Sequence, residues 1–478
     1  MMGKTIIVNI VPEETRMALL EDGRLAETAI ERTASGHIVG NIYKGRIQNV
    51  LPGMQAVFVD IGRDRNAFLH VGDLAGGHAR TKEPLSIGRE IIVQVAKDAL
   101  GTKGPRLTSQ LTLPGRYVVL MPTVDFLGVS RRIPEEEERK RLKEVAERVR
   151  PAGMGMIVRT AAAGRSEDDL RRDAAYLENL WNTLAARAKR VQAPTLLYRD
   201  VDLVIRIVRD YFSADVGQIV FDSREAFNRV KDLLSFASPE LTSRLALYEG
   251  QEDVFGHFGV EAELNRLDER RIELDCGGYI VIDRTEALTV VDVNTGKFVG
   301  QTRLTDTAFQ ANLEAAGEIA RQIRLRDIGG IIIIDFIDMD QEEQRKAVLA
   351  ALSEHLKKDR TRTNVVGITG LGLVEMTRKK ARKDLDSALS VECPCCAGRG
   401  AVRSPETVAI AIRRQLRQLS RTRQLQGPVL VQAHPRVAEV FQRPGETERL
   451  AQELARTVTV EAVPTLQDEV YCILKGKD

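Results

Sequence analysis

Two hydrophobic stretches in the second half of the chain break in the same way. Leu288-Thr-Val-Val-Asp292-Val-Asn294 and Ile331-Ile-Ile-Ile-Asp335-Phe-Ile-Asp338 are β-branched runs, each interrupted by a carboxylate. Runs without polar alternation predict strands buried on both faces. Between them Phe309, Leu313, Ala316, Ala320 and Ile323 recur at the spacing of one helix face, and Gly329-Gly330 supplies the stop. Upstream, Thr5 to Thr33 alternates in short pieces around Glu21-Asp22-Gly23, which predicts an antiparallel meander. Short apolar pieces with close glycine and proline turns follow from Gly40 to His70, the pattern of an OB-type barrel. A strand is expected over Glu90 to Ala96 and another near Tyr117 to Met121. A charged helix is expected from Glu135 to Arg150, then a strand entering a small-residue loop at Thr160. Glu167 to Arg190 reads as a long helix, Val201 to Phe221 as strand-like alternation, and Ser223 to Ser235 as a helix. Thr377 to Lys383 is a basic helical run whose simplest account is a solvated face. A helix from Thr407 to Leu419 and three later strands predict a small α/β appendage with no visible chemistry.

Composition narrows this picture. A chain of 478 residues leads one to expect about three domains. The 29% charged and 43% hydrophobic fractions are those of an ordinary globular protein. A net charge of +2 excludes a general polycation, so nucleic-acid binding must come from local patches. No apolar run has membrane-spanning length and the first residues lack a signal peptide's apolar core, so a cytoplasmic location is expected. Five cysteines, three of them clustered, argue against a disulfide framework.

The carboxylates carry the first candidate chemistry. An ionised aspartate in a buried strand is costly unless something cationic offsets its desolvation. Two on neighbouring strands suit a divalent metal, magnesium above all, because it takes few protein carboxylates and keeps waters for a phosphate substrate. A lone strand-end aspartate is more often a cap or turn former. The matching contexts of Asp292 and Asp335 favour the metal, while Asp338 and Asp340 stand between ligand and solvated loop. Thr295-Gly296-Lys297 is not a phosphate loop, lacking the glycine five positions before Gly296. In the barrel, Phe58 and Phe68, with Tyr43 nearby, are placed either to stack bases or to fill the core. Lys44, Arg46, Arg63 and Arg65 are interspersed with them, and Lys103 lies in a basic loop. Arg131, Arg159 and Thr160 would suit a terminal phosphate, since guanidinium takes phosphate through two parallel bonds, although surface arginines are common. Arg360 and Arg362 could face substrate phosphates. Cys393 and Cys396 have the spacing of a zinc knuckle half-site. A structural zinc wants four ligands and no second Cys-x-x-Cys exists here, so two chains sharing one zinc, hence a dimer, are expected. Cys395 competes as a ligand or points away.

These motifs together resemble the ribonuclease E/G family of bacterial endoribonucleases. The most specific parts are Val291-Asp-Val-Asn-Thr-Gly, Ile334-Asp-Phe-Ile-Asp-Met339, Gly370-Leu-Gly-Leu-Val-Glu-Met-Thr-Arg378 and Cys393-Pro-x-Cys396. The resemblance runs over nearly the whole chain, and the lack of a long disordered tail fits the family's shorter members. It implies an α/β multidomain fold: an RNase H-like domain formed by residues 1–36 plus 205–270, an OB-fold RNA-binding barrel over 37–114, and a 5′-phosphate sensor region over 115–204. A DNase I-like catalytic subdomain over 271–388, a zinc-link over 389–404 and a small C-terminal domain over 405–478 would follow. Nothing in the hydrophobic pattern itself marks the interruption of the first domain. The resemblance also implies Asp292 and Asp335 as Mg2+ ligands, with Asn294 orienting Asp292. Phe58, Phe68 and Lys103 would contact RNA, and Arg362 would help position it near the metal. Gly115, Val119, Arg131, Arg159 and Thr160 would sense a 5′-monophosphate, and Cys393 and Cys396 would hold Zn2+ between protomers. Cys395 departs from the usual pattern.

The expected activity is magnesium-dependent hydrolysis of single-stranded RNA, leaving 5′-phosphate and 3′-hydroxyl ends, in rRNA precursor processing and mRNA decay. A homodimer or a pair of dimers is expected. No histidine falls between Ala287 and Asp340 to serve as a base. A non-catalytic RNA-binding or ribosome-assembly factor would leave the paired aspartates unexplained. A magnesium phosphatase for small molecules would need no stacking barrel.

Overall fold

The computed structural model describes residues 3–32, 38–74, 85–99, 104–212, 215–296, 304–380, 385, 389–422, 424 and 427–476. The chain divides into two units, Met1–Ala388 and Leu389–Asp478.

The first three strands, β1 (Lys4–Ile10), β2 (Glu14–Glu21) and β3 (Arg24–Arg32), form the expected antiparallel meander. Asp22 and Gly23 both have positive φ (51° and 82°), as a two-residue hairpin turn matched to strand twist requires. Five strands then close on themselves: β4 (Ile42–Leu51), β5 (Ala56–Asp60), β6 (Ala67–His70), β7 (Glu90–Lys97) and β8 (Arg106–Thr108). The circuit β4-β5-β6-β8-β7 returns to β4, so this is a closed OB-like barrel filled by Ile47, Val57, Val59, Leu69, Val93 and Leu107.

A second sheet follows, in the order β11-β12-β10-β9, from β9 (Leu113–Pro114), β10 (Val118–Met121), β11 (Leu127–Val129) and β12 (Gly155–Val158). Helices α1 (Glu136–Val149) and α2 (Glu167–Arg190) share its core. Ser166 and Asp169 form a capping box that fixes the start of α2. β13 (Thr195–Tyr198) pairs back onto β4. Strand-like alternation was expected from Val201, yet residues Leu203–Asp210 are helix α3. The Asp202 carboxylate caps the Ile205 N–H, and Leu203, Val204, Ile207 and Val208 line one buried helical face. Capping and tertiary burial override the β-branched composition.

β14 (Val216–Phe221) then runs parallel to β1, followed by α4 (Arg224–Ala237) and β15 (Leu245–Leu247), giving the order β15-β14-β1-β2-β3. The barrel and the second sheet are thus inserted between two strands that are hydrogen-bonded neighbours. Two short helices, α5 (Val254–His257) and α6 (Val260–Leu264), lead to the sheet that holds the aspartates.

That sheet is β16 (Arg271–Glu273), β17 (Tyr279–Arg284), β18 (Leu288–Asn294), β19 (Gly330–Asp335), β20 (Thr363–Ile368) and β21 (Val374–Arg378), ordered β16-β17-β18-β19-β21-β20. Helices α7 (Leu304–Leu325) and α8 (Glu342–Leu356) pack on one face, against Val291, Val293, Ile332, Ile334 and Met376. The expectation that β18 and β19 are buried on both faces fails. Ile331 is 49% exposed, and only alternate residues are covered. The basic run is also not a solvated helix face at its start. Arg378 ends β21 and is buried between Asp359 and Asp327, at 2.7 and 2.5 Å; residues 381–383 lie outside the described residues.

The second unit carries α9 (Pro405–Arg421), β22 (Val429–Ala433), α10 (Pro435–Phe441), α11 (Glu446–Leu454), β23 (Val458–Ala462) and β24 (Tyr471–Lys475), with sheet order β23-β22-β24. Among the described residues no helix is long and apolar enough to cross a membrane.

Buried ions tie the aspartate-bearing sheet to the N-terminal meander. Arg324 of α7 bonds Glu21 at 2.9 Å and Glu27 at 2.7 Å with its own side chain 4% exposed. Removing one member of such a group leaves buried charge unpaired. Arg324→Ala is expected to cost about 3–5 kcal/mol, read as a lower urea midpoint. Lys346→Ala, which breaks an exposed pair on α8, should cost less than about 1 kcal/mol.

Candidate metal and RNA-binding site

β18 and β19 are parallel neighbours, and their register sets Asp292 opposite Asp335. Both residues are exposed, and each alternates with buried apolar neighbours, so both carboxylates leave the same sheet face, the one away from α7. Adjacent strands lie about 4.8 Å apart, a separation one cation can bridge. Asn294, one side-chain period further along β18, donates its amide N–H to Asp292 Oδ2 at 2.8 Å. The turn after it needs Gly296, whose φ is +56° and whose added Cβ would sit 2.7 Å from the Gly277 carbonyl.

Burial pushes the Asp335 carboxyl above its ordinary pKa, and the charges of Asp292 and Asp338 push it the same way. No hydrogen bond or cation among the described residues pulls it back. The donor set therefore fits a divalent cation: two hard oxygen donors, uncompensated negative charge and an open face for water and substrate. Among the described residues no group of three or more His, Cys, Asp or Glu gathers as a metal site, at the aspartate pair or elsewhere, so the protein offers a metal two facing carboxylates there.

Asn312 was missed by sequence reasoning. Fully buried on α7, it donates to the Ile337 carbonyl at 2.8 Å and accepts the Ile337 N–H at 3.0 Å. It thereby pins the segment that leads from Asp335 to Asp338. A polar side chain on an otherwise apolar helix face was the available signal, since a buried amide must find partners.

Phe58 and Phe68 are Cα partners across β5 and β6, both half-buried, with rings edge-to-face at 6.1 Å. Tyr43 is core. Lys44 and Arg46 donate to the Val191 and Ala193 carbonyls and pair with Glu90, so they hold the end of α2 against the barrel. Arg63 and Arg65 are exposed, and Lys103 lies outside the described residues.

The second sheet gathers the other candidates. Arg159 follows β12 and donates to the Gly115 carbonyl and to Asp210 Oδ1, both at 2.6 Å. Thr160 Oγ1 lies 2.9 Å from Ser130 Oγ, the neighbour of exposed Arg131, and Val119 pairs with Ile157 of β12. Asp173 of α2 accepts the N–H groups of Arg116, Tyr117 and Val118 at 3.3, 2.7 and 2.9 Å. A Cβ on Gly115 would sit 2.5 Å from that carboxylate, so only glycine fits. Asp173 and Asp210 carried no legible signal, because each is one acid among 68.

Arg362 is the residue expected to help position RNA near the metal. It precedes β20, where Thr363 pairs with Arg378 and Arg378 with Gly330, at the opposite end of β19 from Asp335. Five residues of strand separate the two ends, about 16 Å. Arg360, expected to face substrate, instead donates to the Asp210 and Tyr211 carbonyls.

In the second unit, Cys393 and Cys396 sit in a turn where Ala397, Gly398 and Gly400 take positive φ. Backbone N–H groups of Cys396 and Cys395, then the Cys396 thiol, hold Cys393 below its ordinary pKa. Cys395 is pushed up, first by Cys393. This arrangement fits half of a thiolate zinc site.

The raised Asp335 pKa has a consequence for stability. The folded chain keeps this proton over a window above the ordinary carboxylate pKa, where the unfolded chain has lost it, so stability falls as pH rises through that window. In chelator, Asp335→Asn is expected to raise Tm at neutral pH, with the gain closing as pH drops through the carboxylate range. A gain of equal size at every pH would count against the like-charge cause.

The ribonuclease E/G family model matches residues 112–381. Ribonuclease G of Escherichia coli strain K12 is 45% identical over 489 aligned positions, spanning 99% of this chain and all of that protein. Ribonuclease G of Haemophilus influenzae is 45% identical over 425 positions, 86% of each chain. Ribonuclease E of a Nostoc species is 41% identical over 411 positions, 84% of this chain and 59% of that protein. With the motif-bearing strands inside the matched span and the likeness running nearly end to end, the chain belongs to the ribonuclease E/G family.

Proposed function

We propose that the protein is a magnesium-dependent, single-strand-specific endoribonuclease stimulated by a 5′-monophosphate end. The observation that carries the reading is the parallel register that sets Asp292 against Asp335 on an open sheet face. A magnesium ion held by these two carboxylates supplies Lewis-acid stabilisation of a phosphodiester and acidification of water. Asn294 keeps Asp292 in one orientation, and Asn312 keeps the following loop from moving away from the pair. Hydrolysis leaves a 5′-phosphate and a 3′-hydroxyl.

Phe58 and Phe68 offer unpaired bases a stacking surface, which tolerates many sequences because every base has a π-face. Lys103 contacts the same strand. Arg131, Arg159 and Thr160, with the backbone at Gly115 and Val119, receive a terminal monophosphate. Arg362, at the Gly330 end of the sheet, guides RNA from that pocket toward the aspartates. Cys393 and Cys396 share a zinc with the same pair from a second chain, giving a dimer or a pair of dimers. In this reading residues 1–36 and 205–270 are RNase H-like, 271–388 DNase I-like, and 389–404 the zinc-link. The substrates are rRNA precursors and decaying mRNA in the cytoplasm.

Two short RNAs that differ only in a 5′-monophosphate or 5′-hydroxyl test the reading, each with magnesium or chelator. Cleavage is expected only with magnesium, faster for the monophosphate, with the stated product ends. The double variant Asp292→Asn, Asp335→Asn should lose cleavage and keep RNA affinity; cleavage surviving in chelator would sink the mechanism. Phe68→Ala should weaken RNA binding by about 1–3 kcal/mol, as loss of one stacked base does.

A further inference from the structure

The loop between α8 and β20 is gripped from two sides. On the sheet side, the Asp359 carboxylate is buried against Arg378 of β21 and accepts the Thr361 N–H at 2.8 Å. The Arg362 carbonyl accepts the Lys379 N–H at 2.9 Å. On the other side lie the residues of the end pocket. Arg360 donates to the Asp210 carbonyl and, at 3.2 Å, to the Tyr211 carbonyl, and its guanidinium lies 4.5 Å from the Tyr211 ring centroid. The carboxylate of the same Asp210 is the partner of Arg159. A second route starts at Thr160, whose hydroxyl meets Ser130 Oγ, which accepts the Arg132 N–H at 3.3 Å. The Arg132 guanidinium in turn donates to the carbonyls of Asp359 and Arg360.

We propose that Arg360 is a positioning residue that couples occupancy of the end pocket to the sheet carrying Asp335. This rests on reading the region around Arg159 as a 5′-monophosphate pocket. A phosphomonoester carries about −1.5 to −2 charges and competes with Asp210 for the Arg159 guanidinium. Arg209 donates to both Asp210 oxygens, at 3.1 and 2.9 Å, and shares Oδ1 with Arg159, so losing the Arg159 bond leaves the carboxylate on Arg209 alone and the shift reaches the Asp210 backbone, where Arg360 is attached. The loop then passes the shift through Asp359 and Arg378 to β21, the neighbour of β19. Such coupling requires that the terminal phosphate bind the two loop arrangements with different affinity.

The test compares wild type with Arg360→Met, which keeps the aliphatic bulk but no donor, and Arg360→Lys, which keeps one charged donor. For each, kcat/KM is measured on the 5′-monophosphate and 5′-hydroxyl RNAs, and their affinities are measured in chelator. Arg360→Met is expected to bring the monophosphate-to-hydroxyl ratio of kcat/KM to within twofold of one. Its rate on 5′-hydroxyl RNA and its preference for binding the monophosphate end should stay at wild-type values, and Arg360→Lys should recover part of the ratio. A variant that keeps the wild-type ratio, or loses activity on both RNAs equally, overturns the coupling role and leaves the pocket reading intact. A wild-type ratio of one overturns the pocket reading and the coupling with it.

Discussion

Strands that run in the same direction cannot be joined by a tight turn, and that constraint organises the aspartate-bearing sheet of this protein. Between β18 and β19 the chain must travel back along the sheet, and α7 makes that journey. The helix buries the alternate residues of both strands and leaves the other set facing outward. Because the side-chain period of a strand is two, the register that pairs Val291 with Ile334 also pairs Asp292 with Asp335. A slip of one residue in either strand would send one carboxylate into the apolar core.

Charge is distributed to match. The chain has 70 lysines and arginines, yet none of the described ones pairs with Asp292 or Asp335. Cations are spent elsewhere: Arg324 pairs α7 with the meander, Arg321 pairs it with Glu263 of α6, and Arg378 anchors the far end of β21. The result is a sheet held by ion pairs through its covering helix and at one end, with uncompensated negative charge at the other. Burial, together with the neighbouring charges of Asp292 and Asp338, raises the folded-state pKa of Asp335.

The strongest local signals translated into structure. The hairpin at Asp22-Gly23, the helix from Glu167 and the crossover helix before Gly329 are where their patterns place them, because turn chemistry, capping and amphipathic spacing are local. The segment from Val201 did not, since β-branched residues fit a buried helix face as well as a strand and only the Asp202 cap and tertiary burial decide. The basic run from Thr377 misled in a similar way. Arg378 looks like any surface cation in sequence but is buried between two aspartates that lie 19 and 51 residues away.

What the sequence determined by itself was the set of elements, the barrel composition, the family motifs and the two aspartates in matched contexts. These rest on periodicity and on residue types that speak for themselves. Tertiary structure alone decided which strands adjoin: β1 with β14 across an inserted barrel, β18 with β19, and Arg360 with a helix end 150 residues earlier. It also set the strand that follows Arg362 against the Gly330 end of β19, the end away from Asp335. Register and long-range ion pairing depend on which of many similar charges and strands come together. That choice is made by burial of the whole core, which no local window of sequence contains.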